Sequence, residues 1–175
     1  TPKTELVHEH TNLEQLFKQE FRFPVVLKLA ESTHGLGVFL VHNKRELRRM
    51  LRSNRHIRPL LLQEFIREAA GCDIRAFVIG EQVVASMKRS ATSGDFRANL
   101  HRGGRAKSIQ LSTVQANLVV KTAKVLDIPI AGIDLLMSAR GLLVIEANAS
   151  PGLEGIERVS GRNIARGILR YVSSK

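Results

Sequence analysis

Three oxygen-bearing side chains, Asp134, Glu146 and Asn148, stand in or beside two apolar runs near the end of the chain. The runs, Ile130–Met137 and Leu142–Ala147, flank a short Ser138–Gly141 connection and read as a β-hairpin with buried strands. A carboxylate in a buried strand needs a partner, because an uncompensated buried charge is strongly unfavourable. Glu146 and Asn148 are two apart and share one strand face. Asp134 joins that face only if the hairpin loop holds an odd number of residues. The expectation is a three-residue loop, Ala139-Arg140-Gly141, with Gly141 in the left-handed conformation. It sets Asp134 opposite Glu146, with Cβ atoms about 4.5–5.5 Å apart. A two-residue loop would put the two acids on opposite faces. Carboxylates that close repel unless a cation or proton lies between them. An all-oxygen set of Asp, Glu and Asn suits Mg²⁺ or Mn²⁺, with positions left for phosphate oxygens and water. The competing reading is a solvent-facing edge with ordinary surface acids.

A second candidate lies earlier. Lys28 interrupts the apolar strand Val25–Leu29, and the polar loop Ala30–Gly37 leads directly into the strand Val38–Val41. Gly35 and Gly37 let backbone N–H groups approach an anion, and Lys28 adds a point charge beside them. The loop joins strand to strand, so it is neither a P-loop nor a dinucleotide fingerprint, both of which lead into a helix. The plainer alternative for Lys28 is a strand-end lysine whose head reaches water.

The elements around these residues follow from pattern. Thr4–His8 reads as a short strand, and Asn12 caps a helix carrying Leu13, Leu16 and Phe17. Asn43 caps a helix through Arg52, with Leu47, Met50 and Leu51 inward and Arg45, Arg48, Arg49 and Arg52 along the other face. Leu60–Ile66 is a buried strand ending in polar residues. Asp73–Ile79 and Gln82–Lys88 form a second hairpin turned at Gly80-Glu81. Arg89–Lys107 is long, polar and glycine-bearing, as functional loops often are. A helix starts at Ser112 or Thr113, with Val114, Leu118, Thr122 and Val125 expected to face the core. The tail from Asn163 to Val172 is amphipathic, with Ile164, Ile168, Leu169 and Val172 expected on one side. Strands interleaved with packing helices give an α+β protein with largely antiparallel sheets.

With 175 residues, 43% of them hydrophobic, the chain can bury a core. No apolar run approaches the roughly 18–20 residues of a membrane span. The single cysteine, Cys72, cannot close an internal disulfide, which fits a reducing cytoplasm. No methionine opens the chain, so a piece of a longer protein is expected. The net charge of +11 points to an acidic partner: a nucleotide, a nucleic acid or an acidic protein tail.

Taken together, FPVVLKL, the glycine loop, QEFI, GCDIRAFVIG, GDFRANLHRGG, GIDLL and VIEANASPGLEGIE resemble, in order, the ATP-grasp superfamily. Within it they look most like the RimK type, ligases that add glutamate to the C-terminus of a small-subunit ribosomal protein. The likeness runs from about Phe23 to the end. It implies an ATP-grasp fold of two α+β lobes: 1–58 with the glycine loop and 59–175 with the metal site. It also implies that the family's N-terminal domain, and an upstream ATP-binding lysine, lie outside this chain. In the resembled family the lysine matching Lys28 binds ATP phosphates, and the loop with Gly35 and Gly37 closes over them. Glu64 and Phe65 match residues at the adenine end, and Asp73 matches a nucleotide-contacting acid. Arg97, Ala98 and Asn99 match a segment that reaches the phosphates, with Arg97 also at the reacting carboxylate. Asp134, Glu146 and Asn148 match the metal ligands. The loop departs from the family where Ser32 replaces a common glycine and His34 a common glutamine. The family does not require the arginine stripe of Arg45–Arg52.

The implied reaction is ATP-dependent carboxylate–amine ligation through an acyl phosphate, with ATP and Mg²⁺ or Mn²⁺. Implied partners are glutamate and an acidic protein or peptide acceptor such as a ribosomal protein, with no membrane. Uncovered cleft surface makes self-association an expectation. A ligase acting on a small molecule is the alternative within the superfamily. A basic nucleic-acid-binding protein is the alternative outside it, opposed by a 5% aromatic content with no tryptophan.

Overall fold

The computed structural model describes residues 1–29, 37–56, 59–92, 95–98 and 103–174. The chain divides into two compact units, Thr1–Arg67 and Glu68–Lys175.

The first unit contains β1 (Thr4–Val7), α1 (Leu13–Gln19), β2 (Val25–Leu29), β3 (Val38–Val41), α2 (Lys44–Ser53) and β4 (Leu60–Glu64). Its sheet is antiparallel, in the order β1-β4-β2-β3. Asn12 and Asn43 cap α1 and α2 by accepting from the amides of Gln15 and Glu46. Val25 and Leu27 of β2 pack with Leu13 of α1 and with Leu47 and Leu51 of α2. Strand alternation therefore turns Lys28 to the sheet face away from that core. The sequence division at 58/59 had assigned the Leu60 strand to the second lobe. Instead β4 pairs with both β1 and β2, which carries the first unit on to Arg67.

The second unit contains β5 (Cys72–Ile79), β6 (Gln82–Ser90), β7 (Arg105–Ser108), α3 (Thr113–Val125), β8 (Ile130–Ser138), β9 (Gly141–Asn148), α4 (Glu154–Ser160) and α5 (Ile164–Ser173). Its antiparallel sheet runs β7-β6-β5-β8-β9. On one face Ile74, Ala76, Val78, Ala131, Ile133 and Leu135 pack against Val119 and Ala123 of α3. On the other, Phe77, Ile79, Ala85 and Met87 pack with Ile156 of α4 and Ile164 of α5. This second apolar layer covers only the later half of β5. The earlier half presents Asp73 and Arg75 on the same face, and that is where the candidate site forms.

Two helices differ from their expected orientation. Val114 and Val125 of α3 are 80% and 74% exposed, and the buried line is Val119–Ala123. In α5 the inward residues are Ile164, Ile168 and Tyr171, while Leu169 and Val172 are exposed. In both helices an apolar residue one position away from the true stripe, about 100° round the axis, competed for the pattern. No helix among the described residues is long and apolar enough to cross a membrane.

The β5–β6 turn falls at Gly80-Glu81 as expected, and Gly80 has φ +60°. A Cβ there would lie 2.8 Å from the Tyr171 ring of α5. Gly80→Ala should therefore destabilise the protein by about 1–3 kcal/mol, through overpacking and the left-handed backbone. Urea unfolding measures this, and an unchanged midpoint would mean that the ring yields freely.

Candidate active site

Glu146 reaches Asp134 by a route the sequence did not suggest. Ser138 pairs with Gly141, so two residues, Ala139 and Arg140, separate the paired positions instead of three. Gly141 does take a positive φ, +91°. Simple continuation of that register would place Ile145 opposite Asp134 and turn Glu146 to the other face. A β-bulge intervenes: Leu135 pairs with Val144, but Asp134 pairs with Glu146, and Ile145 is the extra residue. The bulge reverses the phase of β9. Leu142 and Val144 before it, and Ala147 after it, all pack on the α3 side. Glu146 and Asn148 are thereby delivered to the face that carries Asp134, with Asn148 opposite Gly132.

The hairpin was expected to bury its acids. Asp134 is 4% exposed, whereas Glu146 is exposed and Asn148 half-buried. The compensating charge at Asp134 comes from arginine. Arg75, directly opposite on β5, donates from Nε to Oδ1 and from Nη2 to Oδ2, both at 2.7 Å. Arg89 of β6 donates to Oδ2 at 2.8 Å. Arg89 also grips Asp73, at 2.6 and 2.7 Å. The result is a continuous row, Asp73–Arg89–Asp134–Arg75, with Glu146 beside it. Guanidinium groups suit this place because their planar fork meets both oxygens of a carboxylate and cannot be neutralised. Burial pushes the Asp73 carboxyl up to about 6, against the Arg89 bonds that pull it down. Arg89 is held above its ordinary value by Asp134 and Asp73, although burial opposes this.

Arg75 and Arg89 were not singled out from the sequence. The available signal was a charge at alternate positions of an apolar strand, Asp73 and Arg75, and a further arginine at the end of the next strand. Asp73 was expected to contact nucleotide, yet both its oxygens are engaged by Arg89. Arg97 folds onto Asp95, its Nε at 2.9 Å and Nη2 at 3.1 Å from the carboxylate, and its guanidinium lies 5.3 Å from the Phe96 ring centre. Ala98 is buried. In the first unit Lys28 is half-buried, and Glu64 accepts from the backbone amide of Lys3 at 2.8 Å. Phe65 follows β4 directly and is half-buried. Gly37 accepts from the Leu29 amide at 2.9 Å at the base of the β2–β3 connection. Gly35 and Asn99 lie outside the described residues.

The donor set fits a hard divalent cation. A carboxylate offers about four lone-pair positions, and the arginines fill three on Asp134, leaving one on Oδ1. Glu146 faces it across the strand pair, and Asn148 adds an amide oxygen that accepts from Ser150 at 2.8 Å. Among the described residues no group of three or more His, Cys, Asp or Glu side chains gathers for a metal. The set is two acids and an amide, which suits an ion that retains water and phosphate ligands.

Two antiparallel sheets with this packing match the fold of ATP-grasp ligases. The structure of ATP-grasp ligase PsnB, complexed with a phosphomimetic variant of its minimal precursor, Mg and ADP, superposes with a TM-score of 0.74. It is 20% identical, and the match covers 99% of this chain and 53% of that one. Residues 1–172 match the model of the RimK-like ATP-grasp domain, and the chain belongs to that family. It is 45% identical over 172 residues to the probable alpha-L-glutamate ligase of Cellvibrio japonicus, covering 98% of this chain. It is 41% identical over 172 residues to the ribosomal protein bS6–L-glutamate ligase of Shigella boydii, covering 98% of this chain. The chain spans 57% of the length of each of these relatives.

Two outcomes follow from the charged row. Arg89→Met should destabilise the protein by about 3–5 kcal/mol in urea unfolding, because it strands Asp73 and leaves Asp134 with one partner. The second concerns pH. The folded Asp73 pKa of about 6 exceeds the ordinary 3.8, so between those values the folded state holds a proton that the unfolded chain releases. The stability of the metal-free protein relative to Asp73→Asn should therefore fall as pH rises from about 4 to about 6 and level off above. A flat difference across that window would mean that Asp73 titrates normally.

Proposed function

We propose that this chain is the ATP-binding and metal-binding part of an ATP-dependent carboxylate–amine ligase, one that adds glutamate to an acidic protein acceptor such as a ribosomal protein, in the cytoplasm. The observation that carries the reading is the pairing of Asp134 with Glu146, with Asn148 beside them, on the charged face of a RimK-like domain. Asp134, Glu146 and Asn148 would hold Mg²⁺ or Mn²⁺, which neutralises charge gathering on phosphoryl oxygens when bound. Arg75 and Arg89 hold Asp134 in one orientation, so its remaining lone pair has a fixed direction. Lys28 supplies a cation on the sheet face opposite the hydrophobic core, for ATP phosphates, with Gly35 and Gly37 in the adjoining loop. Glu64 and Phe65 would border the adenine, and Asp73 would act through Arg89 instead of touching nucleotide. Arg97, with Ala98 and Asn99, would reach the phosphates and the reacting carboxylate, exchanging Asp95 for the incoming anion. The names of the relatives support glutamate as the added group.

The test uses the longer protein that contains this chain, with ATP, Mg²⁺, glutamate and candidate acceptors, read by mass spectrometry. Successive glutamyl additions to a protein acceptor are expected. Addition to a small molecule alone would replace the protein acceptor, and no ADP release would overturn the reading. Glu146→Gln should lower turnover by about 100-fold or more with the fold intact by circular dichroism, and Asp134→Asn should do the same while also lowering the urea midpoint, since it removes the anion shared by Arg75 and Arg89. Lys28→Ala should weaken ATP binding about tenfold or more in calorimetry, the loss of one charge-assisted contact. Equal affinity would make Lys28 an ordinary strand-end lysine.

A further inference from the structure

The arginine stripe of α2 has no part in the site above, and the structure gives it a setting. Arg45, Arg48, Arg49 and Arg52 are all exposed, at i, i+3, i+4 and i+7 of one helix face. Arg45, Arg49 and Arg52 have no ion-pair partner among the described residues. Like charges at this spacing repel by a few tenths of a kcal/mol per pair, so the unliganded helix is less stable for carrying them. Arg48 and Lys44 both bind Glu14 of α1, at 3.1 and 2.5 Å. That bridge joins the stripe to an open recess of about 730 Å³ lined by Glu14, Phe17, Lys18, Arg22, Phe23 and Lys44 among others. Within it Phe17 and Phe23 are stacked, ring centres 4.2 Å apart and 13° from parallel; both rings rest on the core of the first unit and are half-buried, so part of each remains on the recess side. Glu14, the one acid in the lining, is engaged by two cations.

This surface lies on the helical side of the first sheet. Leu27 packs toward α1 and α2, so its neighbour Lys28 points the other way. The stripe and the proposed phosphate-binding lysine therefore occupy opposite sides of one sheet, and a single ATP cannot use both. We infer that α1 and α2 form a docking surface for single-stranded RNA, whose phosphates lie along the arginines and whose bases reach the Phe17–Phe23 recess. From Arg45 to Arg52 the helix rises about 10 Å, which spans about two phosphates of a single strand. An acidic peptide would satisfy the arginines but has no use for an aromatic pair, whereas a base stacks on one. The choice of RNA rests on the proposed function, since an enzyme that modifies a ribosomal protein meets its acceptor beside RNA.

The experiment is fluorescence anisotropy of a short, mixed-sequence labelled RNA with this chain over a salt series, with ATP binding measured in parallel. The triple variant Arg45→Ala/Arg49→Ala/Arg52→Ala should bind RNA at least about tenfold more weakly. Its log–log salt slope should be smaller by about 1.4, for about two lost phosphate contacts. The pair Lys18→Ala/Arg22→Ala should weaken binding separately, and ATP affinity should hold in both. The inference fails if the unaltered chain does not bind RNA, or if the triple variant binds with the same affinity and slope. It fails equally if polyglutamate displaces the RNA at lower charge concentration than RNA itself, which would make the stripe a peptide seat. The assay needs no catalysis, so its failure is separate from a failure of glutamyl transfer.

Discussion

The burial of the Asp134 carboxylate is the constraint on which the second unit depends. An acid this deep in a five-stranded sheet is stable only against fixed positive charge, and two successive strands on one side of β8, first β5 and then β6, supply it. Arg75 must stand directly across from Asp134, and Arg89 must come far enough along β6 to reach both Asp134 and Asp73. Those requirements set the register of β5 against β6 and β8 at one end of the sheet. At the other end apolar residues take over the same face and receive α4 and α5. One sheet face is thus divided between a charged half that can do chemistry and an apolar half that holds the helices in place.

The same row supplies the positive charge beside which two acids can stand on one sheet face. Three carboxylates, Asp73, Asp134 and Glu146, share the face with one buried guanidinium, Arg89, and one half-buried, Arg75. Asp134 is oriented by three hydrogen bonds before any ligand arrives, and Glu146 remains exposed. A site with one fixed acid and one exposed acid pays little reorganisation at the buried residue.

Much of this was legible in the residues, and the exceptions have particular causes. Alternation and turn chemistry located the Gly80-Glu81 hairpin, the capped helices and the opposition of Asp134 and Glu146. The loop was misread because β9 is an unbroken apolar run, Leu142 to Ile145, in which no residue marks a bulge. Two shifts of one residue, a shorter loop and a bulge at Ile145, cancel in parity. The expected face was therefore reached through a different backbone. The α3 and α5 stripes were rotated because valine and leucine at Val114, Val125, Leu169 and Val172 are tolerated on the surface. Arg75 and Arg89 escaped notice because a lone arginine in a strand looks like an exposed one until its cross-strand partner is known.

The central claim is that Asp134, Glu146 and Asn148 jointly coordinate a divalent cation while the arginines keep Asp134 in place. The direct measurement is the anomalous difference map of crystals of this chain grown with Mn²⁺ and a non-hydrolysable ATP analogue. The account predicts a single strong peak or a close pair within about 2.1 Å of oxygens from Asp134 and Glu146, with Asn148 in the shell and Arg75 and Arg89 still on Asp134. A nucleotide bound with no peak at these residues would contradict it, as would a peak whose ligands come from elsewhere in the chain.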